Sequence, residues 1–248
     1  MHLTSERLLD GGTLERRFTL NGIPGILWTP PHDPAASVPL ILMGHPGGLD
    51  ALHPRLAGRA RRSAADGFAT ATLELPGAGA RAPIPDVDTA RDDLRRALAA
   101  GDPVPAEVVD RLVLPLVERA VPEWQAAMDA LLAHPGIDGP VGFSGGVTAI
   151  AVRLAVVDPR IRAAGLFAGS YVPAATLTDA ARLNIPVHML LQWDDHGNDR
   201  QQALDLFDAL GSSEKTLEAN LGGHTGIPAF AGESAARFFV RHLRGARV

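Results

Sequence analysis

The strongest constraint on the fold is a rhythm in the chain after its first forty residues. Short apolar runs alternate with stretches of helical period. Val38-Pro39-Leu40-Ile41-Leu42-Met43 is apolar throughout, as a strand covered on both faces requires. A helix over Pro54–Asp66 is expected next, with Leu56, Ala60 and Ala64 four apart. Gly67 stops it. Phe68–Leu75 reads as the following strand. The pattern continues with a helix over Pro122–Ala133, a strand into Gly142-Phe143, and a helix over Gly146–Ala155. Strands at Ile161–Phe167, Val187–Gln192 and Lys215–Ala219 alternate with helices at Thr178–Leu183 and Asp199–Leu210, and a helix at Ser234–Leu243 closes the chain. Ahead of this rhythm, Leu14–Leu20 and Ile23–Trp28 read as a hairpin turning at Asn21-Gly22. Pro30-Pro31-His32-Asp33-Pro34 reads as a loop. The expected architecture is an α/β fold: a mostly parallel sheet with helices on both faces. Ligands of such sheets sit at the carboxyl ends of the strands.

One segment interrupts the pattern. Between about residues 81 and 118 prolines recur (Pro83, Pro85, Pro103, Pro105, Pro115) and charges cluster from Asp86 to Arg96. Helical patches are expected at Thr89–Ala100 and Ala106–Ala120, the second kinked at Pro115. The segment is too small for a core of its own. It therefore reads as a helical excursion, a cap-like insertion in a single domain spanning 1–248.

Composition excludes several functions. There is no cysteine, so a disulfide scaffold, a thiolate nucleophile and a thiolate metal site are excluded. A net charge of −5 argues against a nucleic-acid or anionic-membrane partner. The single lysine, Lys215, lacks the glycine-rich context of a phosphate loop. The nine histidines show no zinc-binding spacing. Asp86, Asp88, Asp92 and Asp93 lack the glycine and glutamate spacing of a calcium loop. Gly77-Ala78-Gly79 resembles a dinucleotide fingerprint, but Pro83 and Pro85 follow where its helix would begin. No cofactor and no metal are expected. Apolar runs are too short to span a bilayer, and Met1–Arg7 has no apolar core of a secretory signal. A cytoplasmic location is expected.

Three polar loops fall at strand carboxyl ends. The first holds Gly142-Phe143-Ser144-Gly145-Gly146, a G-x-S-x-G spacing between a strand and a helix. A strand reversing sharply into a helix strains its turn residue, and glycines two before and two after let the chain close. Ser144 is thus the expected turn residue and nucleophile. The second holds Asp194-Asp195, the third Gly222-Gly223-His224. A serine hydroxyl needs an adjacent base, which His224 would provide. The order of these loops resembles the α/β-hydrolase fold, in which the acid precedes a short loop and a helix; that resemblance, counted back from the helix at Asp199, implies Asp195 over Asp194 as the acid. Asp194 is then expected to bond loop amides, and Asp199 to cap its helix.

The order Ser144, Asp195, His224, with His45-Pro46-Gly47-Gly48 and Leu75-Pro76-Gly77-Ala78-Gly79 after earlier strands, resembles the α/β-hydrolase fold over nearly the whole chain. Within that fold it looks most like serine esterases and the dienelactone-hydrolase-like branch. The resemblance implies a cofactor-independent serine hydrolase cleaving a carboxylic ester of a small molecule through an acyl-enzyme. It implies an oxyanion hole from the N–H groups of Gly145 and of Gly47, or else Gly48. Pro46 has no N–H to offer. His45 is expected to be a structural hydrogen-bonder. Phe143, Trp193 and Tyr171 are candidate pocket walls. Lactone, thioester or peptide cleavage would use the same parts. A lyase, a perhydrolase or a small-molecule-binding protein would keep them too.

Overall fold

A computed structural model of the chain describes residues 1–31 and 37–244. The expected loop at Pro30–Pro34 therefore lies partly outside the described residues. One nine-stranded sheet runs through the molecule in the order β1-β2-β3-β5-β4-β6-β7-β8-β9. Its strands are β1 (His2–Leu8), β2 (Leu14–Leu20), β3 (Ile23–Thr29), β4 (Val38–Gly44), β5 (Ala69–Leu73), β6 (Ile137–Gly145), β7 (Ile161–Phe167), β8 (Val187–Gln192) and β9 (Lys215–Asn220). The first three strands and the β3–β5 pair are antiparallel. All pairs from β5 to β9 are parallel.

The hairpin turn is at Asn21-Gly22, both with positive φ, as a tight hairpin turn of this hand requires. Strand β1 has no counterpart in the sequence reading. Every residue of it is exposed, so it carries no apolar alternation, and it is held by pairing with β2 alone.

Strand alternation divides the core. Leu40 and Leu42 of β4 face one layer, with Phe143, Trp124 and Met128. Ile41 and Met43 face the other, with Leu56, Ala60, Phe239 and Leu243. The second layer is built from α1 (Leu49–Ala65) and α7 (Ala229–Phe239), which runs into a π-helical turn at Val240–Arg244. The first is built from α3 (Ala106–Leu132), α4 (Thr148–Val157) and their neighbours α2 (Pro85–Ala100), α5 (Ala174–Ala180) and α6 (Arg200–Ala209).

Several boundaries differ from expectation: α2, α5 and α7 begin at Pro85, Ala174 and Ala229, ahead of the expected Thr89, Thr178 and Ser234, and β5 is the shorter Ala69–Leu73. Helix α1 starts at Leu49, so Pro54 lies inside it. The two helices expected at Ala106–Ala120 and Pro122–Ala133 are one, with Pro115 and Pro122 inside. Its buried face, from Val109 and Val113 through Leu116, Ala120, Trp124, Ala127 and Met128 to Leu131, keeps steps of three and four across both prolines. Continuous burial of that face outweighs the amide bonds the prolines forgo. Strand β6 runs on to Gly145 and α4 begins only at Thr148.

The connection from β4 leads outward to β5, whereas β6 lies on the other side of β4. Loops at the carboxyl ends of β4 and β6 therefore diverge. This is the topological switch point where α/β sheets open a crevice for ligands.

Candidate active site

Two loops on neighbouring strands build the acid–base part of the site. Gln192 of β8 pairs with Asn220 of β9, so the residues that follow leave the sheet side by side. Asp194 accepts the Gly222 N–H at 2.9 Å and the Gly223 N–H at 2.9 Å. These backbone bonds, Gly223 first, hold its carboxyl below the usual range. Gln192 Nε2 donates to Gly223 O at 3.0 Å. Gly222, at φ +137°, must be glycine, because a Cβ there would sit 2.1 Å from Gly226 O. The β9 exit loop is thus folded onto the β8 exit loop.

That folding delivers His224 to Asp195. His224 Nδ1 donates to Asp195 Oδ2 at 2.7 Å, while Asp195 Oδ1 accepts the Gly197 N–H at 3.2 Å. The aspartate side chain is 4% exposed and the histidine 53%. With Nδ1 carrying the proton, Nε2 keeps its lone pair. The edge of Phe167 supports the ring, centroids 5.6 Å apart. Gly169 leaves room for both, since a Cβ there would come within 3.1 Å of His224 Cε1. Asp199 caps α6, accepting from the Gln201 and Gln202 N–H groups.

Ser144 is placed differently from the sequence expectation. It lies inside the sheet, paired with Met43 of β4 and Gly165 of β7. Its φ is not positive: Asn21 is the one non-glycine with positive φ among the described residues. The left-handed residues of the turn are Gly145 (φ 76°) and Gly146 (φ 79°). Gly146 is pressed on β4, where a Cβ would meet Gly44 Cα at 2.7 Å. The strain of the reversal is therefore carried by two glycines instead of by the serine.

Arg59 of α1 meets Ser144 from the far side. Its Nη2 donates to Ser144 Oγ at 2.9 Å and to Ser144 O at 3.2 Å. Burial and the neighbouring cations Arg55 and Arg62 lower its guanidinium to about 10. No carboxylate pairs with it among the described residues. The sequence signal for Arg59 is faint: a half-buried arginine next to Ala60, among the buried Leu56, Ala57 and Ala60 of α1. No hydrogen bond joins Ser144 to His224 among the described residues.

The remaining expected residues surround these groups. His45 is buried and its Nε2 donates to Leu73 O at 2.8 Å. Burial lowers its pKa. Gly48 stands at the N-cap of α1, directly after Gly47. Glu74, absent from the sequence reading, accepts the Leu49 N–H at 2.7 Å and the Ala80 N–H at 3.3 Å. It ties the β4 exit to the β5 exit. Phe143 is 1% exposed and packs edge-on against Trp124 at 5.5 Å. With His45, Glu74 and Val147 it lines a cavity of about 10 Å³, the size of a single water. Trp193 is 45% exposed and lies under Arg200, 4.3 Å from its ring. It borders an open hollow of about 420 Å³ shared with Asp195, His196 and Asn198. Tyr171 packs against the small cluster formed by Val109, Val113 and Ala149. Burial, then the charges of Asp199 and Asp195, raise its pKa.

Among the described residues no group of three His, Asp or Glu side chains could hold a metal ion. Among the described residues no helix is long and apolar enough to cross a membrane.

No family model and no curated protein sequence matches the chain. Solved structures do. A cold-adapted esterase from an Arctic intertidal metagenomic library is 25% identical, covering 98% of this chain and 100% of that one, with a TM-score of 0.76. Acetyl xylan esterase 1 from a Thermoanaerobacterium species is 15% identical over 97% of this chain and 87% of its own, TM-score 0.62. The dienelactone hydrolase of Anabaena variabilis is 18% identical over 97% and 99%, TM-score 0.60. The protein has an α/β-hydrolase fold, similar to structures of esterases and dienelactone hydrolases.

Proposed function

We propose that the protein hydrolyses an ester-type acyl bond of a small molecule, with Asp195 and His224 as its acid–base pair. The observation that carries this reading is the 2.7 Å bond between a buried carboxylate and a half-exposed imidazole at the carboxyl edge of the sheet. The carboxylate orients the ring and stabilises the imidazolium that forms when Nε2 takes a proton. The similarity to an esterase along the full chain supports the same chemistry.

Backbone N–H groups of Gly145 and of Gly47 are our candidates for the oxyanion donors. Selectivity is assigned to the excursion formed by α2 and the first half of α3. Tyr171, which packs against the Val109, Val113 and Ala149 cluster and feels the charges of Asp199 and Asp195, supports that assignment. Trp193 is the one aromatic wall of the otherwise polar hollow beside Asp195, and we assign substrate contact to it. A chain without cysteine is at home in a reducing compartment such as the cytoplasm.

His224→Ala should lower kcat/KM on p-nitrophenyl acetate at least 100-fold, the contribution of a positioned general base being about 10² to 10⁴. Its thermal melt should stay close to that of the parent protein. Unchanged turnover in a folded His224→Ala protein would refute the reading. A second reading, small-molecule binding without hydrolysis, is favoured by one observation: the Ser144 hydroxyl is bonded to Arg59 and not to His224.

A further inference from the structure

We propose that Gln192 is a positioning residue for His224, kept polar at a cost in stability because its carboxamide fixes the peptide on which the imidazole is mounted. The inference rests on Asp195–His224 being the acid–base pair of an ester hydrolase.

The loop that carries His224 has little hold on itself. Gly222 and Gly223 stand at positive φ, 137° and 62°, and neither has a side chain to lock by packing. Around Gly223 the space is open, with nothing within 4 Å of where a Cβ would stand. Two successive glycines free to turn would leave the ring without a fixed direction. Three hydrogen bonds from the β8 side remove that freedom. Asp194 accepts the Gly222 and Gly223 N–H groups, and Gln192 Nε2 donates to Gly223 O at 3.0 Å. The Asp194 bonds hold the peptide groups ahead of Gly223. Of the three, only the Gln192 bond holds the Gly223–His224 peptide, whose nitrogen belongs to His224 itself. Turning that peptide swings the imidazole relative to Asp195. The donor stands on a rigid base, because Gln192 is the last residue of β8, paired with Asn220 of β9 and 2% exposed.

Stability alone does not account for the carboxamide. Gln192 Oε1 is buried and accepts no hydrogen bond among the described residues. Nδ2 of Asn220, its register partner, is buried and donates none. A buried polar atom left without a partner costs more than one neutral hydrogen bond contributes. Methionine has nearly the shape of glutamine and no such atom, so the scaffold by itself favours methionine. What methionine lacks is the donor to Gly223 O. A polar group held against stability, and bonded to the peptide of the base, marks a functional role. Orientation is what it supplies: a general base must lie within hydrogen-bond reach of the proton it takes.

The test compares the full-length protein with Gln192→Met. We expect a melting temperature equal to the parent's or higher. We expect kcat on p-nitrophenyl acetate to fall about 10- to 100-fold, as a misdirected base implies, with KM within about twofold of the parent. The downfield Nδ1–H proton resonance of His224, assigned by its loss in His224→Ala, should broaden or vanish. A kcat within about threefold of the parent, or an unchanged His224 resonance, overturns the inference. A lower melt or loss of folding in both Gln192→Met and Gln192→Leu also overturns it, because the carboxamide is then structural. Absence of ester turnover in the parent protein overturns the hydrolase reading instead, and the melt and the resonance still decide the role of Gln192.

Discussion

Replacing Asp195 with Asn removes charge from the site at nearly constant shape. Unit charges about 4 Å apart interact by about 4 kcal/mol at an effective dielectric near 20. His224 is 53% exposed on its side chain, so solvent shares in stabilising its cation; we halve the figure to about 2 kcal/mol. At 1.36 kcal/mol per decade this is about 30-fold in rate. The amide adds a second effect. If its NH₂ turns to Nδ1, the ring must carry its proton on Nε2, and the base is lost. Such a tautomer error in a buried Asp–His pair costs about 10⁴. The expected fall in kcat/KM for Asp195→Asn therefore lies between about 30-fold and 10⁴-fold. The assay is p-nitrophenyl acetate hydrolysis at pH 7.5, with a thermal melt to establish that the fold persists. Asp194→Asn is the control. Its carboxylate holds the Gly222 and Gly223 amides, and an amide oxygen still accepts from them, so only a few-fold loss is expected. A folded Asp195→Asn protein within threefold of the parent would refute the reasoning. So would a larger loss in Asp194→Asn.

Two further outcomes test the scaffold. Gly146→Ala should destabilise by about 2–5 kcal/mol, combining about 1–2 for a left-handed non-glycine with about 1–3 for overpacking against Gly44. The melting temperature should drop by about 4–20 °C, and an unchanged melt would show that the turn relaxes. His45 and His188 are buried, with pKa values lowered chiefly by that burial. The unfolded chain therefore binds their protons more readily. Stability from keeping them neutral is complete above about pH 6.5 and drains as pH falls through their folded values. The urea midpoint should be lower at pH 5.5 than at pH 7.5, and the difference should shrink in His188→Gln. Equal midpoints would count against it.

Much of the scaffold is legible in the chain because its signals are local. Strands β7 and β8 begin and end where their apolar runs do. The hairpin turns where Asn21-Gly22 supplies two positive φ values. The separation of Asp194 from Asp195 came from loop length, and in the structure Asp195 meets His224 while Asp194 bonds the glycine amides. What is missed lacks a local signal. Strand β1 has no buried face to leave a pattern. The join of two helices through Pro115 and Pro122 depends on one continuous stripe buried against the sheet.

The sequence by itself determined the alternation of strands and helices, the sheet they must form, and the loops at its carboxyl edge. Local sterics and side-chain period carry that information. Only the tertiary structure decided which residue of Gly142-Phe143-Ser144-Gly145-Gly146 stands at the turn. The motif allows the serine to be the turn residue or the last pair of the strand. Pairing with Met43 and Gly165, and the guanidinium of Arg59, 85 residues away in the chain, hold it in the strand. Backbone ladders and a half-buried cation seeking an acceptor are long-range effects, and no window of sequence around Ser144 contains them.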